Sequence, residues 1–404
     1  MPKKLWNKDF VLLLQGNLVS ALGDLMYSVA IGYWVYEKTG SSGLMGIMSA
    51  ISMFVTMFLS PFTGSIIDKC NRKWIIVGVD ILQGVLMLSM GILAYMDRLH
   101  VPGVLAVALL AAFGSVLYSP AVSTLMIDII PHEHMVRGQS IYSGVTTLLN
   151  LVGSAFSGAM VAFFGVPLIV VINGISNLYS AASELFIHVP KSAQQGDKVT
   201  LRGVLRDTLA AVKTTFSDRY LRLFVPCALI INLLGAGPFT LLLPFTMEKG
   251  FGVEQYGYLM TVWTAASLAG VVLLGAVKFG PRARYWIMTV GFCSSSVFLI
   301  LAYLSASFLP MCIWAFLAAV ANVSGNAVFN ASFTLALPEE NRGAILGFFQ
   351  AASVGGSALS ALIYGFLGEA FPLYLVFTAG SVLVSIPMLY MCLNPRTKEF
   401  VLSH

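Results

Sequence analysis

Residues 10–36 read FVLLLQGNLVSALGDLMYSVAIGYWVY, and the only charged residue among them is Asp24. A bilayer core about 30 Å thick is crossed by about 20 apolar residues in a helix. This stretch exceeds that length. It is also too long for a signal-peptide core, and no small-residue cleavage site follows it. It is therefore expected to stay as a first transmembrane helix, with Lys3, Lys4 and Lys8 held in the cytoplasm.

The rest of the chain agrees. Of its 404 residues, 58% are hydrophobic and 10% charged, against roughly 25% charged in soluble domains. So few charges cannot keep a globular surface wet, whereas a bilayer accepts an apolar exterior. The net charge of +5 is scattered rather than gathered into a patch, so no nucleic-acid partner is expected. The five cysteines (Cys70, Cys227, Cys293, Cys312, Cys392) are odd in number and form no CxxC pair. They read as free thiols. His132 and His134 lack a third ligand, so neither a metal site nor a cofactor is expected. No GxxxxGK[ST] phosphate loop and no nucleophile–base arrangement is present, which argues against an enzyme.

Breaks at charges, Pro and Gly place spans near 10–36, 43–67, 74–96, 103–128, 139–164 and 168–189. A second set falls near 220–246, 256–278, 285–306, 310–336, 344–368 and 374–393. Pro120, Pro226, Pro238, Pro244 and Pro387 suggest bends within spans. The expected fold class is thus an all-α integral membrane protein with 12 transmembrane helices. Its expected domains are a bundle over 1–190, a cytoplasmic loop over 191–218 and a bundle over 219–404. Within the loop, Leu201, Val204, Leu205, Leu209 and Val212 recur at helical spacing and suggest an amphipathic surface helix. Of the 23 Lys and Arg residues, only Lys38, Arg98 and Lys249 fall outside when the N-terminus is placed inside. Both termini are therefore expected in the cytoplasm.

The two halves echo each other. Gly64–Trp74 (GSIIDKCNRKW) follows the second span and Gly275–Tyr285 (GAVKFGPRARY) the eighth. Pro131–Gly138 and Pro338–Gly343 follow the fourth and tenth, and the small-residue runs Gly153–Gly158 and Gly355–Ser360 lie in the fifth and eleventh. Two pseudo-symmetric six-helix bundles follow from this repeat.

Gly64-Ser-Ile-Ile-Asp68-Lys-Cys-Asn-Arg72-Lys73 resembles the signature loop of the major facilitator superfamily: a Gly, an Asp four residues on, then a basic pair. Residues 17–83, with Ser20-Ala-Leu-Gly23-Asp24, Asp68, Arg72 and Asp80, resemble its macrolide-efflux branch of drug:proton antiporters. The resemblance implies a carrier that rocks between inward- and outward-open states. It also implies a latch built from Gly64, Asp68, Arg72 and Lys73. Three positions depart from the pattern. The second-half loop has no Asp matching Asp68, the fourth span has no Arg between Gly103 and Ser119, and Ser154 stands where the glycine motif usually has Pro.

Asp24 stands out on its residues alone. A carboxylate near the midplane costs roughly 2.5–3.5 kcal/mol on insertion scales, so it should face a cavity or a partner. Asn17, Ser20, Asp24 and Tyr27 fall within a sector of about 80° on the helix, forming a polar stripe. A carboxyl shielded from water can take up and release a proton as its surroundings change, so Asp24 is the first proton-coupling candidate, with Glu184 second. Asp80 and Asp128 join Asp68 and Arg72 as expected charges at helix ends, where opposite charges can lock one state. Tyr142, Thr146, Asn150, Asn173, Asn177, Asn232, Asn322, Asn326 and Asn330 form further polar stripes, readable as cavity lining or as interhelical glue.

The expected function is proton-coupled efflux of hydrophobic or amphiphilic drugs such as macrolides, by a monomer in the cell membrane. Its partners are the substrate, protons and lipids. The alternatives are a carrier of a lipid, siderophore or other metabolite on the same fold, and a non-transporting sensor or scaffold.

Overall fold

The computed structural model describes residues 5–189, 213, 216–217, 221–276, 279–336, 342–395 and 397–399. The expected surface helix of the central loop falls outside the described residues.

Helix α1 (Lys8–Thr39) starts where the Asn7 side chain accepts the Phe10 N–H at 2.9 Å. Such a cap is worth about 1 kcal/mol. It stops at Gly40, whose φ of 63° closes the last turn onto the Tyr36 carbonyl. Next come α2 (Ser42–Lys69), α3 (Arg72–Tyr95), α4 (Val101–Ile129), a short 3₁₀ turn (His132–His134), α5 (Met135–Phe164) and α6 (Val166–Glu184). The second half holds α7 (Leu221–Gly235), α8 (Gly237–Thr240), α9 (Leu242–Glu248), α10 (Val253–Ala276), α11 (Pro281–Leu304), α12 (Phe308–Ala336), α13 (Arg342–Ala370) and α14 (Leu373–Leu393).

Eleven helical stretches among the described residues are long and apolar enough to cross a membrane. With the 30-residue α5 beside them, and α7 to α9 making one interrupted span, the chain is a twelve-span, all-helical membrane protein. Large apolar side chains such as Phe163, Val272, Leu309 and Ile386 point outward, exposed. That outer surface suits lipid and would be untenable in water.

Cα packing divides the chain into two units, residues 1–40 with 54–200 and residues 41–53 with 201–404. The start of α2 groups with the second unit because Ser42 Oγ donates to the Gly365 carbonyl at 2.8 Å and Ser41 Oγ to Glu369 Oε1 at 2.5 Å. Within the first unit, α1 packs on α5 and α6, and α3 on α4 and α6. Val55 on α2 packs with Ala112 and Val116 on α4. Within the second unit, α7 packs on α13 and α14, α11 on α12 and α14, and α10 on α12. Counted as spans, the pairings of the first six helices recur among the last six.

Of the prolines expected to bend spans, Pro238 stands at a break, opening α8. Pro120, Pro226 and Pro387 sit inside continuous helices. The real interruption in the seventh span lies between Gly235 and Leu242, so the expected single helix over 220–246 is three. Tyr364 Oη donates to the Leu234 carbonyl at 2.5 Å and Ser360 Oγ accepts the Gly237 N–H at 2.8 Å. These side chains satisfy backbone groups that the break frees, which a lone proline would not ensure.

Candidate functional site

In the first unit, α1 can bring its polar stripe against α6 because residue 23 is glycine. A Cβ there would overlap Asn173 Oδ1 and Ser176 Oγ. Through that gap Asn177 Nδ2 donates to Asp24 Oδ1 at 3.4 Å and to Asn173 Oδ1 at 3.0 Å. Asn173 and Asn177 are buried, so two expected stripes on separate helices form one network. Asn17 and Ser20 are buried on the same helix, with Ser20 Oγ turned to the Asn17 carbonyl at 3.3 Å. Tyr27 is half-buried.

Asp24 also lines a cavity of about 350 Å³ with Ala21, Leu25, Ser28, Thr146, Leu149 and Asn150. Its side chain is exposed, opening onto that cavity. On α5, Thr146 Oγ1 donates to the Tyr142 carbonyl at 2.8 Å and Asn150 Nδ2 to the Thr146 carbonyl at 2.9 Å. One wall of the cavity is therefore polar and held in place by its own helix.

The charged residues expected at helix ends separate into two places. Arg72 Nη1 meets Asp128 Oδ2 at 2.6 Å, joining α3 to the end of α4. Lys73 Nζ donates to the Leu185 carbonyl at 2.6 Å, tying α3 to the end of α6. The side chains of Gly64 and Asp68 lie outside the described residues. Asp80 does not join this group, contrary to its expected place. Eight residues beyond Arg72 on α3, it lies about 12 Å further along the axis, and it is 2% exposed. There it neighbours Ser180 on α6, feels the charge of Asp24 and acts on Glu184.

Glu184 is fully buried rather than snorkelling to an interface. Tyr118 Oη on α4 donates to Glu184 Oε1 at 3.1 Å. Glu184 Oε2, Asp80 Oδ2, Ser180 Oγ, Asn177 Oδ1 and Asn173 Nδ2 are buried without a hydrogen-bond partner. Sequence reading missed Tyr118 and Gln83, whose Nε2 donates to Ser115 Oγ at 3.0 Å. The available signal was a hydroxyl and an amide in apolar spans, both of which need partners when buried.

The second unit carries a different arrangement. Asn232, Asn322, Asn326 and Asn330 all line one cavity of about 650 Å³, together with Trp263 and Gln350. Asn326 Nδ2 donates to Asn322 Oδ1 at 3.0 Å. The broken span contributes Phe239, whose ring meets Trp263 edge-on at 4.6 Å. Among the described residues, no charged side chain lines this cavity. Amide and aromatic walls suit an amphiphile with an apolar body and a few oxygen or nitrogen groups.

Comparison with known proteins agrees with this architecture. The model of the Major Facilitator Superfamily matches residues 13–254 and 225–402. The chain is similar to "Macrolide efflux protein A" of Streptococcus pyogenes, 21% identical over 194 residues, which are 48% of this chain and 47% of that protein. It thus spans about half the length of that relative. It is also similar to "Multidrug efflux pump Tap" of Mycobacterium tuberculosis (strain ATCC 25618 / H37Rv), 23% identical over 378 residues, 91% of this chain and 89% of the pump. Among solved structures, the nucleoside transporter NupG matches with a TM-score of 0.76 at 13% identity, covering 95% of this chain and 98% of that one. An inward-facing bacterial homologue of the lysosomal transporter Spinster matches with a TM-score of 0.72 at 16% identity, over 98% and 97% of the two chains. At these identities the structures show the shared fold.

Proposed function

We propose that this chain, which belongs to the major facilitator superfamily, exports hydrophobic or amphiphilic small molecules in exchange for protons. The observation that carries this reading is Asp24. It is a carboxylate within a transmembrane helix, held by Asn177 at 3.4 Å and open to a cavity of about 350 Å³. A group so placed can exchange a proton with the cavity, and its protonation alters the field a bound molecule meets.

The 650 Å³ amide and aromatic cavity of the second unit is the site we assign to the apolar cargo. The similarity to macrolide and multidrug efflux proteins supports a drug-like substrate. In this reading the protein sits in the cell membrane with both termini in the cytoplasm, as its basic loops suggest, and works by alternating access. The half-buried Arg72–Asp128 pair, with Asp68 and Lys73 from the same loop, serves as the conformational latch.

The test is export of macrolides and lipophilic dyes from cells and from proteoliposomes carrying a pH gradient. Asp24→Asn should insert normally and lose proton-driven export. Undiminished export in that variant would exclude Asp24 from coupling, and gradient-independent transport by the wild type would exclude proton exchange.

A further inference from the structure

Behind Asp24 lies a second acidic site. Asp80 on α3 and Glu184 on α6 are 2% and 0% exposed, and the Asp80 charge acts on Glu184. Ser180, one turn before Glu184 on α6, sits beside both carboxyls. The groups facing the pair from the packed helices are Asp24 from α1, Tyr118 from α4 and Tyr142 from α5. None of them is basic. The two nearby cations of α3 are engaged elsewhere, Arg72 with Asp128 and Lys73 with the Leu185 carbonyl.

Two bare carboxylates side by side, out of water and without a cation, are not a stable arrangement. Structural glue would leave every oxygen paired, yet Glu184 Oε2 and Asp80 Oδ2 have no partner. Among the described residues, no three Asp, Glu, His or Cys side chains converge to hold a metal ion.

We propose that Asp80 and Glu184 form a second proton-holding site, with Ser180 beside them and the Tyr118 hydroxyl donating to Glu184. Only O–H bonds form and break: a proton that leaves one carboxyl of the pair arrives on the other. The proposal rests on the proton-exchange reading for its purpose, but the pair can be tested without transport.

The experiment is infrared difference spectroscopy of the carboxylic-acid C=O stretch, on the full chain in lipid at neutral pH. Wild type should show a protonated-carboxyl band. Tyr118→Phe, which keeps both acids, should move it by removing the donor to Glu184, and the Asp80→Asn/Glu184→Gln double variant should lose that component. Asp24→Asn should retain it, so a failure of Asp24 in export and a failure of the pair read out separately. The proposal is overturned if wild type lacks the band, if Tyr118→Phe leaves it unmoved, or if the folded double variant keeps it. Loss of the band on adding Na⁺ or Ca²⁺ at fixed pH would also overturn it, assigning the site to a metal cation.

Discussion

The two units share a pattern of helix pairing but place opposite chemistry on it. The first sets three acids along the seams of α1, α3 and α6: Asp80 and Glu184 buried, Asp24 open to a cavity. The second lines its cavity with Asn232, Asn322, Asn326, Asn330, Phe239 and Trp263 and no charge. Carboxyls are costly at membrane depth and respond to protons. Amides and rings cost less and bind apolar bodies with modest specificity. Under the proposed function, one scaffold used twice separates an energy-coupling half from a cargo-holding half.

This division can be broken experimentally. The largest effect expected is from Asp24→Asn, with proton-driven export falling to background while substrate still stabilises the protein in a thermal-shift assay. Loss of both together would place the cargo in the first unit. Trp263→Ala should instead weaken cargo affinity about tenfold, ~1.4 kcal/mol, with proton coupling kept; binding titrations beside proton-flux measurements would show it.

Arg72→Ala should lower turnover several-fold and leave affinity near wild type, because the Arg72–Asp128 pair touches neither cavity. An affinity loss with normal turnover would count against a latch. The smallest effect belongs to Tyr364→Phe. It strips the Leu234 carbonyl of its donor and should cost about 1 kcal/mol of stability, read by thermal unfolding, with coupling untouched.

Gly23 shows how the first unit was built. Its spacing beside Asp24 was visible as part of a stripe, but its use was not. The missing side chain admits Asn173 and Ser176 of α6, and contact between helices about 150 residues apart leaves no mark at either end. Asp80 illustrates the reverse. Its place in the sequence, shortly after Arg72 and Lys73, suggested a loop-side charge. Two helical turns carry it away from them and into the core, where its neighbours come from α6. The broken seventh span likewise involves Tyr364 and Ser360, residues of another helix, as well as its own Pro238.

Hydrophobic length and the repeat of loops were sufficient by themselves to specify a twelve-span, two-part membrane chain. Both are local properties: each span satisfies its own backbone hydrogen bonds, so it can be recognised without its neighbours. Which polar groups meet was decided only by the tertiary structure. Helix rotation and close approach set whether Asn177 finds Asp24, or Tyr118 finds Glu184, and those depend on side chains far apart in the sequence.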